Sequence, residues 1–111
     1  MNILTIDDEE DILQLISFIL KEDGHKVFQS TTIKEAKALI SLNEIDFIFI
    51  DGHLPNEDSF EFINNYRDHV PICVLSGDLK LESVTEELDK VQFIPKPFSF
   101  DQLKDAIATV G

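Results

Sequence analysis

Short apolar blocks that read as strands alternate five times with longer blocks that have helical spacing. The strand-like blocks cover residues 2–6, 26–29, 45–50, 70–75 and 91–95. The helix-like blocks cover residues 9–23, a segment that begins at Thr32, residues 58–67, residues 80–89 and a segment that begins at Ser99. Strands that alternate with helices form a parallel sheet covered on both faces. We therefore predict an α/β fold, a doubly wound five-stranded parallel sheet flanked by five helices.

The length of the chain limits the number of domains. Its 111 residues are enough for one domain with a hydrophobic core and too few for two. Hydrophobic residues make up 43%, which is typical of a globular chain and not of a disordered acidic segment. We therefore expect residues 1–111 to form one domain.

The charge balance limits the partners. Asp and Glu number 22 against 9 Lys and Arg, so the formal net charge is −13. Nucleic acids and acidic membrane surfaces are bound by clustered Lys and Arg, so we expect neither as a direct partner. A partner is expected to be basic or apolar, or to be a cation.

Cysteine content and apolar run lengths indicate the cellular compartment. Cys73 is the single cysteine, so an internal disulfide is impossible, and its apolar neighbours predict a buried core side chain. No apolar stretch reaches membrane-spanning length, and the N-terminus lacks the pattern of a signal peptide. We therefore expect a cytoplasmic protein.

Local signals mark the ends of the predicted helices. Gly24 is a natural stop for the first helix. Thr32 with Glu35, and Ser99 with Gln102, have the spacing of capping boxes that begin the second and fifth helices.

Polar residues that could bind a ligand or react follow four of the five predicted strands. They are Asp7 and Asp8 after the first strand, Asp51 after the third, Ser76 after the fourth and Lys96 after the fifth. Each has an ordinary explanation, such as a negative first helical turn, a loop, a turn or a solvated lysine. In an open parallel sheet, however, ligands bind beyond the carboxyl ends of the strands, so these side chains are expected to converge there.

The types of these residues suggest phosphoryl chemistry. Three nearby carboxylates need a cation, and hard oxygen ligands suit Mg²⁺, which also accepts phosphate oxygens. A carboxylate such as that of Asp51 is a competent nucleophile toward a phosphoryl group, and at its usual pKa it is ionised at neutral pH. Phosphoryl transfer mainly needs positioning and charge neutralisation, which Mg²⁺, Lys96 and the Ser76 hydroxyl would supply.

The chain resembles the receiver domain of two-component response regulators, the CheY-like superfamily, over essentially its whole length. The resemblance is carried by an ordered set of short motifs: Asp7-Asp8, Asp51 with Leu54-Pro55, Asp58, Ser76-Gly77 and Lys96-Pro97-Phe98. It implies a strand order of 2-1-3-4-5 and a signalling module that is not an enzyme. The implied partners are a histidine kinase or a histidine phosphotransfer protein, together with a downstream protein target or an output domain outside this chain.

The resemblance also implies a role for each site residue. Asp51 would be the phosphoacceptor, with Ser76 and Lys96 binding the phosphoryl group. Mg²⁺ would be held by Asp51, by Asp8 directly, by Asp7 through water and by the backbone carbonyl of His53. Ser76 and Phe93 would form the switch, and the Lys96–Pro97 peptide would be cis.

Several positions depart from the family pattern. Ser59 stands where the family usually has glycine, and Glu57 stands where it usually has an apolar residue. The segments on either side of Ser76 are shorter than usual, so the fourth helix is expected to be short or loose. His53 and Asp78 occupy two variable positions that flank the site and, in this family, influence the lifetime of the phosphoryl group.

The first predicted helix carries a candidate docking patch. Its helical spacing defines a buried stripe of Ile12, Ile16, Ile19 and Leu20. Phe18 falls near the opposite side and Leu15 at the edge. Isolated exposed apolar residues are common, but Leu15, Phe18 and Phe98 together suggest a docking patch for a helical partner such as a kinase dimerisation domain.

Three other functions use related residues, and the sequence disfavours each of them. A phosphatase of the haloacid dehalogenase type needs a second Asp two positions after its nucleophile, where this chain has His53. A flavodoxin-like cofactor binder needs a phosphate-holding loop after the first strand, where this chain is acidic. A receiver that binds partners without being phosphorylated would not need the full set of Asp7, Asp8, Asp51, Ser76 and Lys96.

Overall fold

A computed structural model describes residues 1–110 of the chain. Five strands form one parallel sheet in the order β2-β1-β3-β4-β5, and five helices alternate with them along the chain. The elements are β1 (Asn2–Ile6), α1 (Glu10–Glu22), β2 (Lys26–Ser30), α2 (Ile33–Leu42), β3 (Phe47–Asp51), α3 (Ser59–Tyr66), β4 (Ile72–Ser76), α4 (Lys80–Glu86), β5 (Val91–Pro95) and α5 (Phe100–Ala108). The predicted fold class and strand order are confirmed.

The core lies on both faces of the sheet, as the nearly continuous apolar strands predict. Alternate residues of β3 face opposite ways: Phe47 and Phe49 pack with α1 and α5, whereas Ile48 and Ile50 pack with α2 and α3. Cys73 is fully buried in the first of these layers, and its burial raises the pKa of the thiol to about 12. The thiol is therefore a core side chain, as predicted, and not a reactive group.

Three elements, β3, β4 and α4, differ from the prediction by two residues or more at one end. β3 and β4 each begin two residues later than predicted and extend one residue further, so that Asp51 and Ser76 end their strands. The late start of β4 follows from Pro71, which has no N–H to donate to a ladder and contributes only its carbonyl, to Ile48. α4 ends at Glu86 instead of residue 89, where a tight turn joins the Leu88 N–H to the Thr85 carbonyl at 2.9 Å.

Helix α1 buries a slightly different stripe from the predicted one. Leu13 is buried, whereas Ile12, in the first turn of the helix, is only half-buried and lines a surface groove with Leu15 and Phe98. Phe18 points away from this stripe and is 62% exposed.

The two predicted capping boxes have different outcomes. At α5 both bonds form, from Gln102 N–H to Ser99 Oγ at 3.2 Å and from Ser99 N–H to Gln102 Oε1 at 2.8 Å. At α2 only half of the box forms: Thr32 accepts from the Glu35 N–H, but the Thr32 N–H donates to Ser30 Oγ. Neither bond uses the Ile33 N–H at the start of α2, which donates to an acceptor outside the box.

Within the part of the chain that the structure describes, residues 1–110, no helix has the length and apolar character needed to cross a membrane. The longest helix, α1, has 13 residues.

Candidate phosphorylation site

Three carboxylates meet at the carboxyl edge of the sheet. Asp7 and Asp8 follow β1, and Asp51 ends the adjacent strand β3, so the parallel pairing of these strands places them side by side. One oxygen of each carboxylate lies within 4.8 Å of one oxygen of the other two. Asp7 and Asp51 are buried and Asp8 is exposed. Hard oxygen ligands in a partly open cluster fit a divalent cation such as Mg²⁺.

Lys96 brings a positive charge to this cluster. Its backbone N–H donates to the Ser76 carbonyl at 2.9 Å, which fixes the start of the loop after β5 beside β4. Its ammonium lies 3.1 Å from Asp7 Oδ2 and 3.6 Å from Asp51 Oδ2. The Lys96–Pro97 peptide is cis, as the family resemblance implies. One ammonium against three carboxylates leaves the cluster with excess negative charge.

The pKa of Asp51 reflects its burial first and this charge imbalance second. Burial raises the pKa of its carboxyl, and the nearby Asp7 and Asp8 raise it further, although the His53 N–H and Lys96 act in the opposite direction. The sequence alone suggested an ordinary pKa for Asp51, but the pKa of this carboxyl is raised. Burial by itself would lower the pKa of Lys96, but Asp51 and Asp7 outweigh it and the net shift is upward. Lys96 is thus held in its charged form.

Ser76 ends β4 beside the loop that follows Asp51. It is 1% exposed, and its Oγ accepts a hydrogen bond from the Asp78 N–H at 3.0 Å. A Cβ atom built on Gly52 would lie 3.2 Å from the Ser76 Cβ, so Ser76 is a close neighbour of the residue after Asp51. With Oγ accepting from Asp78, its hydroxyl hydrogen remains available to donate to a ligand.

His53 and Asp78, the two flanking residues, contact each other across the site. The His53 N–H donates to Asp51 Oδ1 at 3.0 Å, and His53 Nε2 lies 3.0 Å from Asp78 Oδ2. The hydrogen bond with His53 lowers the pKa of Asp78. The sequence gives no signal for this pair, because the two residues lie 25 positions apart in different loops.

The two unusual residues of the β3–α3 loop each have a structural partner that sequence reasoning missed. Glu57 Oε2 accepts from the Ile33 N–H at 2.8 Å and so caps α2, where the Thr32 box is only half formed. Ser59 is buried, and its Oγ donates to the Asp51 carbonyl at 2.9 Å. Both bonds tie the segment that follows Asp51 to its surroundings.

Comparison with known proteins decides the family. A family model described as the response regulator receiver domain matches residues 3–108. The chain belongs to the response regulator receiver domains. Such domains are signalling modules and not classical enzymes, they bind Mg²⁺ at an acidic pocket, and they interact with histidine kinases, phosphotransfer proteins and output domains.

Curated relatives of this receiver domain are of two lengths. The KDP operon transcriptional regulatory protein KdpE of Escherichia coli is 30% identical over 113 residues, which cover 93% of this chain and 48% of KdpE. Sporulation initiation phosphotransferase F of Bacillus subtilis is 23% identical, with 95% of this chain and 89% of the relative covered. The receiver domain thus spans about half of KdpE and most of the sporulation protein.

Solved structures agree with the fold. A response regulator receiver domain protein from Clostridium thermocellum superposes with a TM-score of 0.86 at 27% identity, covering 97% of this chain and 91% of that one. The chemotaxis protein CheY4 of Vibrio cholerae superposes with a TM-score of 0.88 at 24% identity, covering 99% and 98% of the two chains.

The residues predicted for switching and docking lie outside the acidic cluster. Phe93 is half-buried in β5 and packs against the core layer of α2 and α3. Leu15 and Phe98 line one groove of about 340 Å³ together with Ile12, Lys96 and Pro97. Phe18 does not line this groove, although it lies on the same helix as Leu15. The switching and docking roles stay predictions.

The buried charge of Asp51 predicts a stability effect. Because its folded-state pKa lies above the usual 3.8, its contribution to stability is present at low pH and lost as the pH rises through the folded-state value. At pH 7 without Mg²⁺, Asp51→Asn is expected to raise the free energy of unfolding by about 1 kcal/mol, the repulsion of two charges roughly 4 Å apart in water. Urea denaturation measures this change.

The control for this prediction is Asp105→Asn, which removes the same charge from an exposed position on α5. It is expected to change the free energy of unfolding by less than about 0.5 kcal/mol. A destabilised Asp51→Asn variant would show that Lys96 outweighs burial and carboxylate repulsion.

Proposed function

We propose that this receiver domain accepts a phosphoryl group on Asp51 from a histidine kinase or a histidine phosphotransfer protein, in the presence of Mg²⁺. The observation that supports this most is the meeting of the Asp7, Asp8 and Asp51 carboxylates with the Lys96 ammonium, at 3.1 Å from Asp7 and 3.6 Å from Asp51. A nucleophilic carboxylate, a place for a cation and a fixed positive charge are what phosphoryl transfer to an Asp requires.

The carboxylates also suggest how Mg²⁺ would be held. Asp51 and the exposed Asp8 would be direct ligands, Asp7 would act through water, and the His53 carbonyl would complete the protein ligands. When bound, Mg²⁺ would offset the negative charge that Lys96 leaves uncompensated and would bind phosphoryl oxygens.

The remaining steps fall to residues of the chain. A carboxylate oxygen of Asp51 attacks the phosphorus, a new O–P bond forms, and the P–N bond to the donor histidine breaks with its electron pair leaving on the imidazole. Lys96 faces the phosphoryl oxygens as a counter-charge, and the Ser76 hydroxyl donates a hydrogen bond to one of them. Ser76 turning toward the phosphoryl group would open space for Phe93 to move inward as the switch.

A small acyl phosphate tests the proposal without a kinase. The protein is incubated with Mg²⁺ and acetyl phosphate, and its intact mass is measured. The expected result is a gain of one phosphoryl group that does not form when Mg²⁺ is chelated. No gain with acetyl phosphate, with a histidine kinase or with a phosphotransfer protein would contradict the proposed function.

We also propose that residues 1–111 act as one receiver domain whose output depends on protein contacts. The family match over residues 3–108 supports the single domain. The net charge of −13 disfavours direct contact with nucleic acid. The output would be a downstream protein target or an output domain outside this chain.

The docking patch of Leu15, Phe18 and Phe98 gives a kinetic prediction. Phe18 is 62% exposed and Leu15 43%, which leaves both available to a partner. Phe18→Ala is expected to lower kcat/KM for phosphorylation by a histidine kinase or phosphotransfer protein about tenfold, the loss that follows from truncating an interface aromatic. Phosphorylation by acetyl phosphate is expected to be unchanged, because the small donor does not use the patch.

Leu42→Ala is the matched control for this prediction, since Leu42 is 80% exposed at the end of α2, away from the patch. Equal rates for Phe18→Ala and wild type with the protein donor would contradict the docking role.

A further inference from the structure

The segment after Asp51 contains a tight turn that its own backbone holds weakly. The turn runs from Leu54 to Glu57, and its closing bond, from the Glu57 N–H to the Leu54 carbonyl, is 3.4 Å long. Backbone N–H···O bonds are most often about 2.9–3.0 Å long, so this bond is weak. Within the turn, Asn56 has a φ of 58°, a left-handed conformation that asparagine tolerates better than most residues. Such a turn needs a further anchor to keep one conformation.

The Glu57 side chain supplies that anchor by reaching a neighbouring helix. Its Oε2 accepts from the Ile33 N–H at 2.8 Å, a shorter bond than the one that closes the turn. Ile33 is the first residue of α2, and its side chain is buried in the core layer that α2 and α3 share. A carboxylate at the N-terminus of a helix is also favoured by the helix dipole. Glu57 therefore fastens the end of the turn to a helix that is itself packed on the sheet.

The other end of the turn adjoins the peptide that is proposed to face the metal. The His53 N–H donates to Asp51 Oδ1 at 3.0 Å, and the Leu54 side chain is buried. The peptide between His53 and Leu54 carries the carbonyl that is the proposed backbone ligand for Mg²⁺. Because this peptide directly precedes the turn, the direction of its carbonyl depends on the conformation of the turn. The Glu57 bond to α2 therefore acts on a proposed metal ligand from outside the acidic cluster.

We propose that Glu57 is a positioning residue for the divalent cation: its bond to α2 keeps the His53 carbonyl directed at the metal site. The proposal rests on the proposed function of the acidic cluster. Mg²⁺ requires near-octahedral ligand geometry, so a carbonyl that swings with a loose turn lowers the affinity for the cation. Groups that orient metal ligands from outside typically change the metal affinity at least about tenfold when they are removed. Glu57 thus sets cation binding before any phosphoryl group arrives.

Binding of Mn²⁺ tests this role without phosphorylation. Mn²⁺ takes the same oxygen ligands as Mg²⁺, and free Mn²⁺ is measured directly by its electron paramagnetic resonance signal. Glu57→Ala is expected to raise the Kd for Mn²⁺ about tenfold. Glu57→Gln is expected to stay within about twofold of the wild-type Kd, because its amide oxygen can still accept from the Ile33 N–H although the charge is gone.

Thr32→Ala is the matched control for stability. It removes the hydroxyl that accepts from the Glu35 N–H at 3.1 Å and caps the same helix, but it leaves the Glu57 bond in place. The urea midpoint is expected to fall in Thr32→Ala as in Glu57→Ala, since each variant loses an acceptor at the start of α2. The Kd for Mn²⁺ is expected to rise only in Glu57→Ala.

The second readout is the dependence of phosphorylation by acetyl phosphate on Mg²⁺ concentration. In Glu57→Ala the Mg²⁺ concentration that gives half the maximal rate is expected to rise about tenfold, while the maximal rate stays within about twofold of wild type. A lower maximal rate with an unchanged Mg²⁺ dependence would overturn the proposal.

The Mn²⁺ affinities decide between the remaining outcomes. An unchanged Kd in Glu57→Ala, or a Kd raised equally in Glu57→Gln or in Thr32→Ala, would overturn the positioning role. If the wild type binds Mn²⁺ but takes no phosphoryl group, the proposed phosphorylation fails, and the Kd values still decide the role of Glu57. If the wild type binds no Mn²⁺, the metal site fails and the role of Glu57 with it.

Discussion

Asp51→Asn is expected to abolish the mass gain of one phosphoryl group that wild type shows with Mg²⁺ and acetyl phosphate. An amide oxygen carries no negative charge, so it is a poor nucleophile toward phosphorus and a weaker ligand for Mg²⁺. Neither of the other two carboxylates is expected to take over. Asp7 is engaged by the Lys96 ammonium and by the Glu9 N–H, and Asp8 is exposed at the margin of the cluster.

The loss has to be separated from misfolding. The variant is expected to fold and to be more stable than wild type without Mg²⁺, because a buried negative charge has been removed. Asp105→Asn, on the exposed face of α5, is expected to be phosphorylated like the wild type. Full phosphorylation of Asp51→Asn would place the acceptor elsewhere in the chain.

Lys96→Ala is expected to have the second large effect, on both rate and stability. Among the ion pairs of residues 1–110, the Lys96 ammonium is the one cation that lies near the buried Asp7 and Asp51. The Lys96 side chain is 22% exposed. Removing one partner of a largely buried pair is expected to lower the free energy of unfolding by about 2 kcal/mol. The rate of phosphorylation by acetyl phosphate is expected to fall about 100-fold, as when a fixed charge-stabilising group is removed from an active site.

Two measurements check the charge role of Lys96. Urea denaturation with and without Mg²⁺ is expected to show that Mg²⁺ stabilises Lys96→Ala more than wild type, because the cation takes over part of the lost charge compensation. Lys104→Ala is the control, since Lys104 forms an exposed pair with Asp23 at 3.8 Å that is worth less than about 1 kcal/mol. Equal losses in the two variants would contradict a special role for Lys96.

Much of the fold was predictable because its signals are local. The short, nearly continuous apolar runs of the strands and the helical spacing of Ile16, Ile19 and Leu20 lie within short windows of sequence. The five strand–helix pairs then follow, and the sheet order came from family resemblance. The start of β4 was predicted two residues too early although its signal is local: Pro71 has no N–H for the ladder, while its carbonyl accepts from the Ile48 N–H.

For the candidate site, the sequence was enough to predict which residues stand at the carboxyl ends of which strands. Parallel strands carry Asp7, Asp51 and Ser76 to one edge whatever the loops do. The pairing of His53 with Asp78 was not predictable, since it joins two loops whose conformations no local pattern sets. The Glu57 cap on α2 was not predictable for the same reason. Nor was the place of Leu81, whose side chain lies in the space beside Gly52 although the two residues are almost 30 positions apart in the sequence.

If the proposed function is right, an aspartyl phosphate forms at Asp51. Borohydride reduces an acyl phosphate to an alcohol, so a phosphorylated aspartate becomes homoserine, which peptide sequencing by mass spectrometry locates. After treatment with Mg²⁺ and acetyl phosphate, followed by borohydride, we expect homoserine at position 51. Homoserine at position 7 or 8 instead, or phosphorylated protein that yields none, would contradict it.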